Sequence, residues 1–65
     1  MNNYVYKYVL SGGEKLIIIW SDKTETEAEY IKTIGYNHYF KTLQGKEIKL
    51  SNHFMRLKAI KINLI

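Results

Sequence analysis

The chain has 65 residues, a formal net charge of +4, and neither cysteine nor proline. This length allows one domain, near the lower size limit for a single hydrophobic core. The absence of cysteine excludes disulfide bridges and the usual cysteine-containing zinc sites. The apolar run 16–20 is far shorter than the about 20 residues of a membrane-spanning helix and does not resemble a signal peptide. We therefore expect a soluble cytoplasmic protein with no membrane association.

The first third of the chain predicts a β-hairpin. Residues 4–10 alternate in a way typical of a strand, with Tyr4, Tyr6, Tyr8 and Leu10 on one face. The segment Ser11-Gly12-Gly13-Glu14 follows as a turn, because glycine accepts the positive φ that hairpin connections require. Residues 16–20 are apolar on both faces, which indicates a central strand. The glycine pair lies between two predicted strands and lacks the helix dipole of a phosphate-binding loop, so the turn is the preferred interpretation.

The next segment predicts a helix over residues 24–34. Thr24 followed by Glu27 matches a capping box, and acidic residues crowd the expected N-terminal turn. Gly35 fits the position after a helix C-terminus. At 100° per residue, Tyr30, Ile31 and Ile34 share one face, which we expect to pack on a sheet.

The second half predicts three more strands. Residues 36–43 form a third strand whose facing the pattern leaves open, Gln44-Gly45 forms a two-residue turn, and residues 46–50 form a fourth strand with Ile48 and Leu50 inward. A helical turn at 52–57 is favoured over a continuous strand, because continuity would need a phase slip before the last strand at about 58–64.

The predicted order is ββαβββ in a single domain, 1–65. The expected fold class is α+β, a small meander in which one helix covers a curved antiparallel sheet of about five strands.

Catalysis finds little support in the sequence. No nucleophile elbow, zinc-protease, P-loop or dinucleotide-binding motif is present. The spacing of His38, His53 and Asp22 specifies no mechanism, and both histidines fit ordinary strand and loop positions. We therefore expect no enzyme activity, no catalytic residue, no cofactor and no bound metal.

Charge is strongly segregated along the chain. Residues 30–65 carry seven basic side chains and a single acid, Glu47, whereas residues 1–29 carry three lysines and five acids. The acids at 25, 27 and 29 are explained by the predicted helix N-terminus. The basic excess is not explained locally, and a cationic surface attracts polyanions. The candidate binding residues on the second hairpin and final segment are Lys41, Lys46, Lys49, Arg56, Lys58 and Lys61.

The tyrosine stripe has two interpretations. Alternate aromatic residues on a strand form a platform on which bases stack, which makes Tyr4, Tyr6 and Tyr8 candidate stacking residues. The alternative is that they fill a small core or a dimer interface, with each hydroxyl reaching water at its edge.

These patterns favour a non-enzymatic small basic binding module, with nucleic acid as its partner through a lysine-rich sheet surface. The alternative is a protein-interaction module with an acidic partner, for example a phage or mobile-element protein that binds and modulates a host factor. We also expect a homodimer, since a domain this small that ends in Leu64-Ile65 gains buried area by pairing.

Overall fold

The computed structural model describes residues 10–65, which form a five-stranded antiparallel sheet with one short helix. The fold is broadly α+β and consists mostly of strand. The predicted first strand, apart from Leu10, and its three tyrosines lie outside the described residues. The elements are β1 (Lys15–Ile19), β2 (Glu25–Ile34), β3 (Asn37–Thr42), β4 (Glu47–Ser51), α1 (Asn52–Leu57) and β5 (Lys61–Leu64). The strand order in the sheet is β4-β3-β2-β1-β5, and every neighbouring pair is antiparallel.

The predicted helix over 24–34 is wrong, because this segment is the ten-residue strand β2. The described order is accordingly β-β-β-β-α-β rather than ββαβββ, with the helix between the last two strands. Burial alternates along β2, where Ala28 and Tyr30 are buried and Glu25, Glu27 and Glu29 are exposed. This two-residue period matches the pleat of a strand with one face on a core. The pattern outweighs the helix-capping signal, since a helix would not bury Ala28 and Tyr30 together while exposing Glu29 between them.

The residues that suggested a helix N-cap form a tight turn between β1 and β2. The Trp20 N–H donates to the Thr24 carbonyl (2.9 Å), and the Lys23 N–H donates to the Trp20 carbonyl (2.9 Å). The carboxylate of Asp22 accepts from the Thr24 N–H (3.0 Å) and from the Thr24 hydroxyl (2.6 Å). Asp and Thr side chains hydrogen-bond nearby backbone groups in turns as readily as at helix ends, so residues that match a helix N-cap also fit a tight turn.

A β-bulge at Ile31 interrupts the alternation of β2 within the stripe that the helix prediction used. Tyr30 pairs with Phe40 and Lys32 pairs with Tyr39, so the register shifts at the residue between them. The extra residue changes the phase of the alternation. Tyr30 and Thr33 therefore face inward whereas Lys32 and Ile34 face outward, so the helix-like spacing of residues 30, 31 and 34 does not correspond to one face of the strand.

One face of the sheet, here called the inner face, carries the core. The buried apolar residues come from every strand and from α1. They are Leu16, Ile18, Ala28, Tyr30, Phe40, Leu50, Met55, Ile60 and Ile62. Helix α1 packs on this face through Met55, and the Ile60 N–H donates to the Met55 carbonyl (2.8 Å) as the chain turns toward β5. The helix therefore connects the two edge strands of the sheet and helps to close the core between them.

The second hairpin and the helical turn agree with the predictions, apart from the length of the loop. The Gly45 N–H donates to the Thr42 carbonyl (2.9 Å) and the Thr42 N–H to the Lys46 carbonyl (2.8 Å), so the last bonded pair of the hairpin, Thr42 and Lys46, encloses three residues rather than two. Gly45 takes φ = +87°, which suits glycine.

Ser51 caps α1, since its hydroxyl accepts from the Phe54 N–H (3.1 Å).

Candidate functional site

The face opposite the core, here called the outer face, brings charged side chains from neighbouring strands together. Side chains alternate along a strand, so the residues between the buried ones point to this face. One row across four strands has charges of alternating sign: Glu47 on β4, Lys41 on β3, Glu29 on β2 and Lys15 on β1. All four residues are exposed. Opposite charges directly across a sheet attract weakly, so this row supports the sheet and carries no net charge.

The adjacent row has a different character, because it contains two lysines and a tyrosine with no acid. Tyr39 on β3 pairs with Lys49 on β4 and with Lys32 on β2. The Nζ atom of Lys32 lies 5.4 Å from the centroid of the Tyr39 ring, within the range of a cation–π contact. Lys41 follows Tyr39 by two residues on the same face. We call Lys32, Tyr39, Lys41 and Lys49 the Tyr39 patch.

The hydrogen-bond pattern places Lys49 close to Tyr39. The Thr42 N–H donates to the Lys46 carbonyl (2.8 Å) and the Asn52 N–H to the Tyr36 carbonyl (2.9 Å), one at each end of the β3–β4 ladder. Antiparallel pairs alternate between bonded and non-bonded, so Tyr39 and Lys49 form a non-bonded pair, whose side chains approach more closely. The patch is thus a half-buried aromatic ring with a lysine on either side.

Beyond the Tyr39 patch, the same end of the outer face carries uncharged side chains. Ile34 on β2, Asn37 on β3 and Ser51 on β4 form the next row. Tyr36, in the turn between β2 and β3, is 76% exposed. Glu25 and Glu27 lie toward the opposite end of the sheet, whereas Glu29 and Glu47 flank Lys41 in the adjoining row. Lysine and tyrosine therefore dominate this end of the outer face.

The structure brings together only some of the predicted basic residues. Lys41 and Lys49 belong to the Tyr39 patch, and Lys46 is exposed in the adjoining turn. Lys61 also faces outward but lies on β5, the opposite edge of the sheet, opposite Ile19. Arg56 lies in the last turn of α1, and Lys58 is its C-terminal cap residue. The six side chains do not form one cluster.

Sequence reasoning missed Lys32, which lay within the predicted helix. The alternation of exposed acids at 25, 27 and 29 with Ala28 and Tyr30 was the signal that could have placed this segment in the sheet. Tyr39 belongs to the predicted third strand, 36–43, whose facing the sequence pattern leaves open. Tyr4, Tyr6 and Tyr8 lie outside the described residues.

Comparisons with known proteins yield no family: no protein-family model matches the sequence, and no curated protein or solved structure is significantly similar to it. Within residues 10–65 no helix has the length and apolar character needed to cross a membrane. The same residues contain no group of three or more histidine, cysteine or acidic side chains placed to hold a metal ion.

The Gly12-Gly13 segment uses its backbone donors internally. The Ser11 and Gly12 N–H groups donate to the Glu14 carboxylate at 2.7 and 2.8 Å, and the Gly13 N–H donates to the Tyr30 carbonyl at 2.7 Å. Hydrogen bonds from the Ser11 and Gly12 backbone lower the pKa of Glu14 below its ordinary value of 4.5. Because these donors are occupied, they are not available to bind a phosphate.

His38 is fully buried and takes part in a hydrogen-bonded chain of side chains. Its Nδ1 atom lies 2.8 Å from the Thr33 hydroxyl, which lies 2.5 Å from the Tyr30 hydroxyl, and its Nε2 atom bonds Oδ1 of Asn52. A side chain with no exposed surface does not reach a substrate. The chain therefore joins β2, β3 and α1, as expected for a structural role.

Proposed function

We propose that this chain is a non-enzymatic binding module for single-stranded nucleic acid, that the Tyr39 patch is its contact surface, and that it acts in the cytoplasm. The observation that carries the proposal is the register that sets Tyr39 between Lys49 and Lys32 on adjacent strands. An aromatic ring on a sheet surface offers a stacking platform for a base, and lysines beside it neutralise the flanking phosphates.

Single strands fit this surface better than duplexes. Lys32 and Lys49 are two strands apart, about 10 Å between their Cα atoms, so their side chains can reach phosphates on either side of a base stacked on Tyr39. An unpaired base has a free face for stacking, which a base inside a duplex lacks. Backbone charge and stacking carry little sequence information, so we expect weak sequence preference.

The test is a fluorescence-anisotropy titration of labelled oligo(dT) and oligo(U) at about 50 mM salt, where electrostatic binding is strong. We expect Lys49→Ala and Tyr39→Leu to weaken binding, because they remove a phosphate contact and the stacking platform. Lys61→Ala is the matched control, since it makes the same charge change on the same face at the opposite edge. Lys58→Ala provides a second control at the end of α1.

Two results would contradict the proposal. One is the absence of binding to either oligonucleotide. The other is an equal loss of affinity in Lys49→Ala and Lys61→Ala, which would attribute binding to net charge rather than to the patch. Tighter binding to a duplex of the same length would contradict the preference for single strands.

A protein-binding function is the second candidate, and exposed apolar residues of α1 favour it. Phe54 and Leu57 are 41% and 66% exposed and lie three residues apart, where neighbours on a helix share a face. Apolar side chains on one exposed helix face can act as anchors for a partner protein. Partners recovered from a nuclease-treated lysate by the natural sequence but not by Leu57→Lys would support this function.

A further inference from the structure

The open edge of β4 presents backbone groups in a fixed pattern. Among residues 10–65, β4 has β3 as its single neighbour and forms one end of the sheet. The bonds at both ends of the β3–β4 ladder fix the alternation, so Ile48 and Leu50 bond toward β3. The N–H and C=O groups of Glu47, Lys49 and Ser51 consequently point away from the sheet.

We propose that a second copy of this chain pairs antiparallel with this edge, about a two-fold axis at Ile48. In an antiparallel pair, residues whose backbone groups face outward must bond one another. The axis at Ile48 sets Glu47 against the partner's Lys49 and Lys49 against the partner's Glu47. Each of these two pairs exchanges two N–H···O=C bonds, so the strands are joined by about four backbone hydrogen bonds.

Charge selects this register over its neighbours. Moving the axis to Glu47 sets two glutamates opposite each other, and moving it to Lys49 does the same for two lysines; both arrangements repel. An axis at Leu50 pairs Lys49 with the partner's Ser51 and runs into α1 at the next residue. The axis at Ile48 is thus the one that sets opposite charges against each other at both position 47 and position 49.

The same register suits both faces of the extended sheet. On the outer face, Glu47 already ends a row of alternating charge, and the partner's Lys49 continues that alternation. On the inner face, the half-buried Ile48 meets the partner's Ile48 at the axis and extends the core. The described residues of two copies would form a continuous ten-stranded sheet with one Tyr39 patch on each side of the axis.

At the other edge of the sheet, formed by β5, charge does not select one pairing register over the others. On β5, Ile62 and Leu64 are the apolar residues of the inner face, and several self-pairing registers set apolar residues opposite one another. Register is weakly specified where neighbouring alignments are chemically alike. We therefore assign the self-pairing surface to β4.

Sedimentation equilibrium without nucleic acid tests the proposal, so its outcome is independent of the proposed binding function. An interface this small makes a weak dimer, and we expect dissociation in the range of roughly 10–100 μM. Glu47→Lys and Lys49→Glu each set like charges opposite each other at both symmetric positions. We expect each variant alone to dimerise at least about tenfold more weakly, since each converts two attractions into repulsions.

Mixing the two variants gives the decisive measurement. A heterodimer of Glu47→Lys with Lys49→Glu has opposite charges at all four positions, so we expect the mixture to associate as strongly as the natural chain. The chain that carries both substitutions should also dimerise. Lys61→Glu, on the other edge, is the control, and thermal melting confirms that each variant folds.

Three outcomes would overturn the assignment. A natural chain that is monomeric up to about 1 mM, above the expected range, has no such interface. A dimer that neither charge reversal weakens does not pair through the edge of β4. A dimer that is lost with Leu64→Lys pairs through β5 instead. A mixture that fails to restore association shows that the two residues do not face each other.

Discussion

The Nε2 atom of His38 donates a hydrogen bond to Oδ1 of Asn52 and so joins β3 to the first residue of α1. A carbonyl oxygen only accepts, which places a proton on Nε2. Nδ1 bonds the Thr33 hydroxyl (2.8 Å), which in turn bonds the Tyr30 hydroxyl (2.5 Å). A polar side chain with no exposed surface is tolerated in this core because Thr33 on β2 and Asn52 on α1 bond both of its ring nitrogens.

We predict that His38→Leu destabilises the fold by about 2–4 kcal/mol, since it removes the hydrogen bonds that join fully buried His38 to Thr33 and Asn52. Urea unfolding followed by tryptophan fluorescence measures the change. His53→Leu, an exposed position on α1, should change the free energy of unfolding by no more than about 0.5 kcal/mol. Equal stability of the two variants would show that the buried chain contributes nothing.

We predict that Gly12→Ala is more destabilising than Gly45→Ala. Both glycines have positive φ, +125° and +87°, which strains an alanine at either position. At Gly12 the new Cβ would also lie 3.1 Å from the carbonyl oxygen of Ile31, whereas at Gly45 it meets nothing within 4 Å. We expect a cost of about 1–3 kcal/mol at Gly12 and about 1 kcal/mol at Gly45, measured by urea unfolding. The reverse order would mean that the Ile31 bulge does not lie against this turn.

We predict that the contribution of Glu14 to stability depends on pH. Its carboxylate accepts from two backbone N–H groups, which lowers its pKa in the folded chain below 4.5. A lowered folded-state pKa gives stability that is fully present above the unfolded-state pKa and is lost as pH falls through the folded-state pKa. Melting temperatures of the natural chain and Glu14→Gln should therefore differ most near neutral pH and converge as pH falls below 4.5. A difference that does not change with pH would contradict this account.

The sequence predicts the described fold well where burial and local pattern agree, as in β1, β3, β4, α1 and β5. β4 and β5 have an apolar alternation, β1 is a continuous apolar run and Ser51 caps α1, and the structure places all five elements within a few residues of their expected positions. Segment 24–34 is the exception, because two local features imitate a helix. Asp22 and Thr24 act in a turn, and Tyr30, Ile31 and Ile34 have helical spacing although the bulge at Ile31 puts Tyr30 and Ile34 on opposite faces of β2. A bulge depends on the partner strand, which a local pattern does not contain.

The bulge at Ile31 also explains why the sequence alone does not predict all the residues of the Tyr39 patch. The predicted two-residue turn would set residue 41 opposite residue 48, so the longer loop decides that Lys41 and Lys49 share a face. The position of Lys32 beside Tyr39 depends on the β2–β3 register after the shift, and the separation of Lys61 depends on β5 pairing with β1. Charge counts along the chain identify a basic half, but only the strand order shows which lysines are neighbours.

We predict that Lys32 contributes one phosphate contact, which the salt dependence of binding measures. With three lysines around Tyr39, the slope of log K against log salt for single strands should be about −2, since each neutralised phosphate contributes about −0.7. Lys32→Ala should reduce the magnitude of this slope by about 0.7 and weaken binding to oligo(dT) and oligo(U) alike. Lys15→Ala is the matched control, because Lys15 lies on the same face on β1, opposite Glu29. A slope that changes equally in both variants would show that the bulge does not place Lys32 at a nucleic-acid contact.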